Sequence, residues 1–345
     1  MSEHTVTPLE PELSPQPLMQ LVTGVWAAKT LAAAVDLGLF TLVSYRGRVT
    51  AEDVGTALGL PARPAGMLVT ACAALGLLRR DDDGFVNAPL AEEYLVDDRQ
   101  LGLTPLIRML NTRNYPGWLR LGEALRGNRP TTWEPEEQGT IFERDLDSTF
   151  WDGMYALSAL SARRMNTAVD LSESSRLLDV GGGGAAYAIE LCRRYPDLAV
   201  TIYDLPLACA VTRPTVEKSG VDRISLCAGD FFADAHLPDG HDTVLLSMVL
   251  HDWNPDQCGE ILTKCFAALP RGGRVLVCEL FVDDTLDGPP AAALMNLNML
   301  VETAAGRNYT RAEYLSWLSA VGFVDVHVVD FDGPGANGVA VGTKV

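Results

Sequence analysis

The sequence predicts an α/β protein: a doubly wound, mostly parallel seven-stranded sheet with an antiparallel edge hairpin, preceded by a mostly helical region laid out as a winged helix. Three observations carry this. From Arg176 onward there are seven short β-rich runs, RLLDV, AVTIYD, ISLCAGD, TVLLSM, RVLVCEL, VDVHVVD and GVAVGTK, the first six separated by segments long enough for helices. Such alternation favours parallel strands covered on both faces. The last two runs lie close together around FDGPGANG, which predicts a hairpin at the sheet edge. Ahead of the sheet the pattern is helix, helix, hairpin, and a length of 345 residues suits two domains at about 100–200 residues each.

Residues 1–17 are polar and Pro-rich and read as a flexible lead-in. The Ala- and Leu-rich stretch from Leu18 to Val43 is helical with an interruption at Gly38. Thr50 is placed to cap a helix whose first turn holds Glu52 and Asp53. A second helix over about Pro61–Leu75 stops at Gly76, and LLRRDDDGFVNA forms a hairpin with its turn at Asp83-Gly84. Residues 97–175 are mostly helical, with loop material around NRPTTWEPEEQG. The expected division is 1–17 lead-in, 18–100 winged helix, 101–172 helical linker and pocket region, and 173–345 sheet domain.

A winged helix by itself suggests DNA binding, but these modules also serve in dimerisation. With 45 acidic against 27 basic residues and a formal charge of −18, the mean field repels phosphate backbones and anionic lipid. Nucleic acid and membrane are therefore not expected partners. Seven cysteines (72, 192, 209, 227, 258, 265, 278) form no CxxC pair, which points to reduced thiols in a cytoplasm rather than a disulfide framework or zinc site. The start MSEHTVTPLEPELSPQP lacks a basic, then apolar, export signal, and no run of about 18 apolar residues occurs.

Ligands of doubly wound sheets bind beyond the carboxyl ends of the strands. The first five strands end in Asp179 with GGGGA, Asp204, Asp230, Ser247 through His251, and Glu279, so all five present a polar or glycine-rich element to one rim. DVGGGGAAYAIEL is a glycine loop between strand and helix, open to close approach by a ligand. Asp204, 25 residues beyond Asp179, can accept hydrogen bonds from both ribose hydroxyls. The frame D-x-G-x-G, with Ala185 where a further glycine would extend it, departs from the pyrophosphate fingerprint. An acid at the strand end suits an ammonium better than a phosphate. Adenosine, ribose and an amino acid together describe S-adenosylmethionine.

The segments LLDVGGGGAAYAIELCRRYPDL, IYDLP, AGDFF, LLSMVLHDWNPDQCGEIL, PRGGRVLVCE and GRNYTRAEYLSWLSAVGF, in this order and spacing, resemble the S-adenosylmethionine-dependent O-methyltransferases of the plant caffeate and bacterial secondary-metabolite type. The resemblance spans about residues 18–345. It implies a Rossmann-like methyltransferase domain behind a winged-helix dimerisation domain, and a homodimer whose amino-terminal helices intertwine and help close the partner's pocket. It implies a cofactor cradle from Gly181, Gly182 and Gly183, with Asp204 and Leu205 at the ribose, Asp230 and Phe231 at the adenine, and Ser247 near the methionine end. Asp179 and Ser158 belong to the same set. His251 would be the general base and Glu279 its orienting acid.

That assignment has a physical rationale. Methyl transfer is a displacement at a carbon already activated by a sulfonium, so the protein must align an oxygen and remove its proton. A neutral imidazole within reach of a phenol can do this, and a carboxylate on its other nitrogen fixes the tautomer. No metal is required. Asn308 stands where the family often has a second acid, so any help to His251 from there is a hydrogen bond without charge. Asp252 is expected to start a helix and Trp253 to pack in the core.

FWDGMYALSALSARRM resembles the family's pocket helix, making Phe150, Met154, Met295 and Met299 candidates to sandwich an aromatic ring; Met295 and Met299 share a helix face. Asn111, Arg113 and Asn296 offer polar contacts, and Arg113 could pair with a carboxylate on an aromatic acid. The expected reaction is methylation of a hydroxyl on a phenolic, polycyclic or acidic small molecule. The alternatives are C- or N-methylation, a decarboxylase or hydroxylase reaction on the same scaffold, or a ligand-sensing regulator.

Overall fold

The computed structural model describes residues 14–134 and 148–345, and two compact units meet in sequence at Asp97/Asp98. Most of the expected lead-in, residues 1–13, and the end of the NRPTTWEPEEQG loop lie outside the described residues. In the first unit the apolar run from Leu18 breaks twice, giving α1 (Gln16–Val22), α2 (Gly24–Asp36) and α3 (Leu39–Arg46). Gly38 makes the expected break, at φ +72°. The other falls at Thr23, whose hydroxyl donates back to the Met19 carbonyl at 2.8 Å, a local bond that competes with the helix ladder.

Thr50 caps α4 (Ala51–Leu58) reciprocally with Asp53, and α5 (Ala62–Ala74) follows. Strands β1 (Leu78–Asp81) and β2 (Gly84–Asn87) form the hairpin, but its turn is Asp82-Asp83 rather than Asp83-Gly84, since Asp81 pairs with Gly84. Asp82 supplies the left-handed φ of +50°. Gly84 is needed for close approach, because a Cβ there would meet the Arg48 side chain at 2.6 Å. Helix α6 (Pro89–Tyr94) completes the unit.

The second unit begins with α7 (Thr104–Met109), a π-helical turn (Leu110–Asn114), α8 (Tyr115–Leu119), α9 (Leu121–Gly127) and α10 (Ser148–Ala168). The alternating region then gives β3 (Arg176–Val180), α11 (Ala186–Arg194), β4 (Ala199–Asp204), α12 (Pro206–Ser219), β5 (Ile224–Ala228) and β6 (Thr243–Ser247). After a 3₁₀ turn (Leu250–Asp252) come α13 (Pro255–Ala268), β7 (Arg274–Glu279), α14 (Pro290–Glu302), α15 (Arg311–Val321), β8 (Val324–Asp330) and β9 (Gly338–Thr343). The segment between β5 and β6 is loop rather than helix. Asp230 Oδ1 accepts the Phe232 N–H at 2.8 Å, an Asx turn that takes the backbone away from a helical path.

Strand order is β5-β4-β3-β6-β7-β9-β8; β3 to β7 are parallel, and β9 runs antiparallel between β7 and β8. Period-two alternation sends Leu177, Ile202, Leu245 and Leu276 to one face, with Met165 and Ile189. Leu178, Val244, Leu246 and Val277 go to the other, with Ile261, Leu262 and Leu318. Both faces are thus buried, as a parallel sheet requires. Strand order reverses between β3 and β6, so the binding crevice opens at their carboxyl ends.

Candidate active site

At that crevice lies a cavity of about 570 Å³. Its floor is the loop after β3. Gly181 (φ +71°) and Gly183 (φ +51°) turn the chain, and a Cβ on Gly182 would stand 2.7 Å from Asp179 Oδ2. Asp204, at the end of β4, accepts the Gly183 N–H at 2.8 Å and the Leu205 N–H at 2.7 Å. Burial raises its carboxyl above the ordinary range, and these two N–H groups partly offset that.

Asp179 does not reach the cavity wall. It is fully buried behind Gly182, its oxygens accept no hydrogen bond among the described residues, and burial together with Asp204 pushes its carboxyl up to about 7. Beyond β5, Asp230 and Phe231 line the cavity, where Phe231, Phe232 and Trp253 form an edge-to-face cluster with centroids 4.7–5.7 Å apart. Ser247 ends β6, and Met248 after it takes φ +55°, an unusual backbone for a side chain of that size and a source of local strain. Ser158, on α10, also lines the cavity. A glycine cradle without room for Cβ at Gly182, a half-buried acid tethered by backbone, and an aromatic cluster together fit an adenosine-bearing cofactor.

His251 sits in the 3₁₀ turn at the cavity wall, 5% exposed. Its Nδ1 is 2.7 Å from Glu279 Oε2, while Glu279 Oε1 accepts the N–H groups of Val249 and Leu250 at 3.2 and 3.0 Å. One carboxylate therefore fixes both the imidazole and the backbone that carries it. Burial alone would lower the imidazole. The Glu279 and Asp252 charges and the Glu279 hydrogen bond outweigh it, raising the group to about 9.

Asp252 does not start a helix; Asn254 caps α13, its side chain accepting the Gln257 N–H. The Asp252 carboxylate instead lines the cavity 3.5 Å from His251 Nε2. Burial, with Glu279 and Glu302 nearby, pushes it up to about 6 against the pull of His251. Trp253 packs against the core as expected and also joins the aromatic cluster of the cavity wall.

Asn308 is not bonded to the imidazole. It is 2% exposed, donates from Nδ2 to the Leu280 carbonyl at 2.6 Å and from its backbone N–H to Asn296 Oδ1 at 3.1 Å. Its Nδ2 fastens the residue after Glu279, its buried Oδ1 has no hydrogen-bond partner among the described residues, and Asn296 Oδ1 is taken by the Asn308 backbone. Phe150, Met154, Met295, Met299 and Arg113 line the cavity, whereas Asn111 and Asn296 do not.

Arg113 is paired within the protein, its Nη2 donating to Glu302 at 3.3 Å. The cavity also gathers Asn114, Trp151, Asn298, Glu302 and Gly335, none of which the sequence reading singled out. A signal existed for two of them: 295, 298, 299 and 302 fall on one face of α14.

An O-methyltransferase domain model matches residues 118–324 and an O-methyltransferase dimerisation domain model matches residues 19–97. The 3-hydroxy-5-methyl-1-naphthoate 3-O-methyltransferase of Streptomyces sahachiroi is 46% identical over 96% of this chain and 95% of its own. The L-tyrosine C(3)-methyltransferase of Streptomyces lavendulae is 30% identical over 95% and 92%. The crystal structure of human N-acetylserotonin methyltransferase with S-adenosylmethionine superposes with a TM-score of 0.84 at 27% identity, covering 98% of this chain and 99% of that one.

Proposed function

Since the chain belongs to the S-adenosylmethionine-dependent O-methyltransferase family, we propose that it methylates a phenolic hydroxyl of an aromatic small molecule, with His251 as general base and Glu279 as its positioning residue. The carrying observation is the 2.7 Å His251 Nδ1–Glu279 contact, buried at the wall of the cavity that also holds the glycine loop and Asp204. The bound cofactor supplies a methyl group activated by its sulfonium. Gly181, Gly182, Gly183, Asp204, Leu205, Asp230, Phe231, Ser247 and Ser158 are proposed to hold it, and Asp179 to support the loop from behind.

With Nδ1–H committed to Glu279, Nε2 carries the lone pair that accepts the hydroxyl proton. A phenol titrates near ~10, so an imidazole raised to about 9 is a close match as proton acceptor. Asp252, 3.5 Å from Nε2, adds negative charge beside the imidazolium as it forms. Phe150, Met154, Met295 and Met299 are proposed to flank the aromatic ring.

Mass-spectrometric detection of S-adenosylhomocysteine, from the protein with S-adenosylmethionine and a pool of hydroxylated aromatics, tests this reading. His251→Ala is expected to cut the rate by roughly 10²–10⁴ without loss of cofactor binding by calorimetry. A rate untouched by the substitution would remove His251 from the chemistry. The similarity to a C-methyltransferase keeps carbon methylation as a second reading; the methyl shift in the product NMR spectrum separates O–CH₃ from C–CH₃.

The dimerisation-domain match supports self-association, and we take the assembly to be a homodimer with residues 18–100 as its interface module, 101–172 shaping the acceptor pocket and 173–345 carrying the chemistry. Leu18, Leu21, Val22 and Trp26, each at least 65% exposed, give α1 and α2 the apolar face such an interface needs. Seven unpaired cysteines support a cytoplasmic setting.

A further inference from the structure

We propose that the acceptor is a hydroxylated aromatic acid whose carboxylate is bound by Arg113, with Glu302 tuning that preference from the other side of the guanidinium. This rests on the methyl-transfer reading of the cavity and names its substrate class.

Arg113 lies on the π-helical turn Leu110–Asn114, a geometry that concentrates at functional sites, and it lines the same cavity as His251. A guanidinium has five N–H donors. Among the described residues one is used, on Glu302 at a long 3.3 Å; Nε is buried without an acceptor, and the side chain as a whole keeps 25% exposure through its other atoms. The guanidinium carbon stands 5.5 Å from the Phe150 ring centroid, and the neighbouring wall is apolar, with Leu106, Leu110 and Met154. A cation with unspent donors in an apolar cavity calls for oxygen acceptors from a ligand. The planar fork fits a carboxylate two bonds at a time, and the adjacent aromatic face suits the ring that bears it.

Glu302 sets the balance. Its side chain is 8% exposed, and besides Arg113 it takes a hydrogen bond from Asn114 Nδ2 at 2.8 Å. It is a resident counter-ion that holds the guanidinium in place. An incoming carboxylate must share Arg113 with it, and two anions on one cation repel. Neutralising Glu302 is therefore expected to tighten the hold on an acid. Removing Arg113 should loosen it and strand a buried charge.

The test compares 3-hydroxy-1-naphthoate with 3-hydroxy-1-naphthamide, which share a ring and a hydroxyl and differ in charge. KM and kcat are measured for wild type, Arg113→Met, Glu302→Gln and the double variant, with calorimetric affinities in the S-adenosylhomocysteine-loaded protein. Wild type is expected to prefer the acid by roughly tenfold or more, the scale of a hydrogen bond to a charged group. Arg113→Met should abolish that preference mainly through KM, and Glu302→Gln should lower KM for the acid only. The double variant, which leaves no stranded carboxylate, should fold and still lack the preference. Acid and amide responding alike to Arg113→Met, or a double variant that keeps the wild-type preference, would overturn the proposal. Methylation of both compounds without preference would overturn the carboxylate claim and leave the methyl-transfer reading standing. Cofactor binding with transfer to neither compound would count against both.

Discussion

At His251 the burial that lowers an imidazole competes with two carboxylates that raise it, and the carboxylates win. The sign of the pH dependence follows. The base must be neutral, so activity should climb through an apparent pKa above the ordinary histidine value of about 6.5 toward about 9. Glu279→Gln removes the larger of the two raising charges, and its rising limb should move to lower pH while kcat falls by about 10- to 100-fold; a pH–rate profile that keeps its limb would separate Glu279 from the imidazole. Linkage runs the same way: a raised imidazole contributes stability at low pH that is lost as pH rises through about 9. Ala185 holds φ +67° while fully buried at the head of α11. A left-handed alanine costs about 1 kcal/mol, so Ala185→Gly should raise the melting temperature with cofactor affinity retained. His251 and Glu279 were legible because each ends a strand on one rim. The position of Asn308 relative to the imidazole was not, since its donors could be spent on several carbonyls and only packing decides which.

Among the elements, the 3₁₀ turn carrying His251 is braced from several sides. Glu279 takes two of its N–H groups, Cys258 Sγ donates to the Leu250 carbonyl at 3.2 Å, and Tyr309 donates to the Trp253 carbonyl at 2.5 Å. The loop after α14 packs so tightly here that a Cβ on Gly306 would collide with the His251 carbonyl. Gly306→Ala is thus expected to displace the base and lower kcat by roughly 100-fold, the scale of an ångström of misplacement, with cofactor affinity close to wild type by calorimetry. Substituting a cap behaves differently: Asn254→Ala should cost about 1 kcal/mol of stability, read in a urea melt, because it frees the start of α13 without touching the imidazole. The helix starts at Thr50 and the strand alternation could be read from local spacing. The loop between β5 and β6 misled, because its length allowed a helix that the Asp230 turn prevents. In α14 the cavity face was half seen, through Met295 and Met299 but without Asn298 and Glu302.

For the whole molecule, a charge of −18 sets a mean field that repels phosphate polymers, while the apolar face of α1 and α2 is the surface proposed to meet a second copy. Replacing Leu21 and Trp26 together by glutamate should shift the protein to monomer in light scattering after gel filtration, since each is more than two-thirds exposed and contributes apolar area only to an assembly. Retention of the dimer would place its interface elsewhere. The sequence by itself determined the order of the strands, the glycine loop, the acids at the strand ends and the histidine, because each is written in local spacing and in the rule that ligands meet the carboxyl ends of parallel strands. Tertiary structure alone decided which side chains share the cavity. Arg113 met Glu302 across 189 residues of chain, and Asn114 met the same carboxylate across 188. Contacts between residues so far apart depend on how helices pack over the sheet, and no local pattern encodes that.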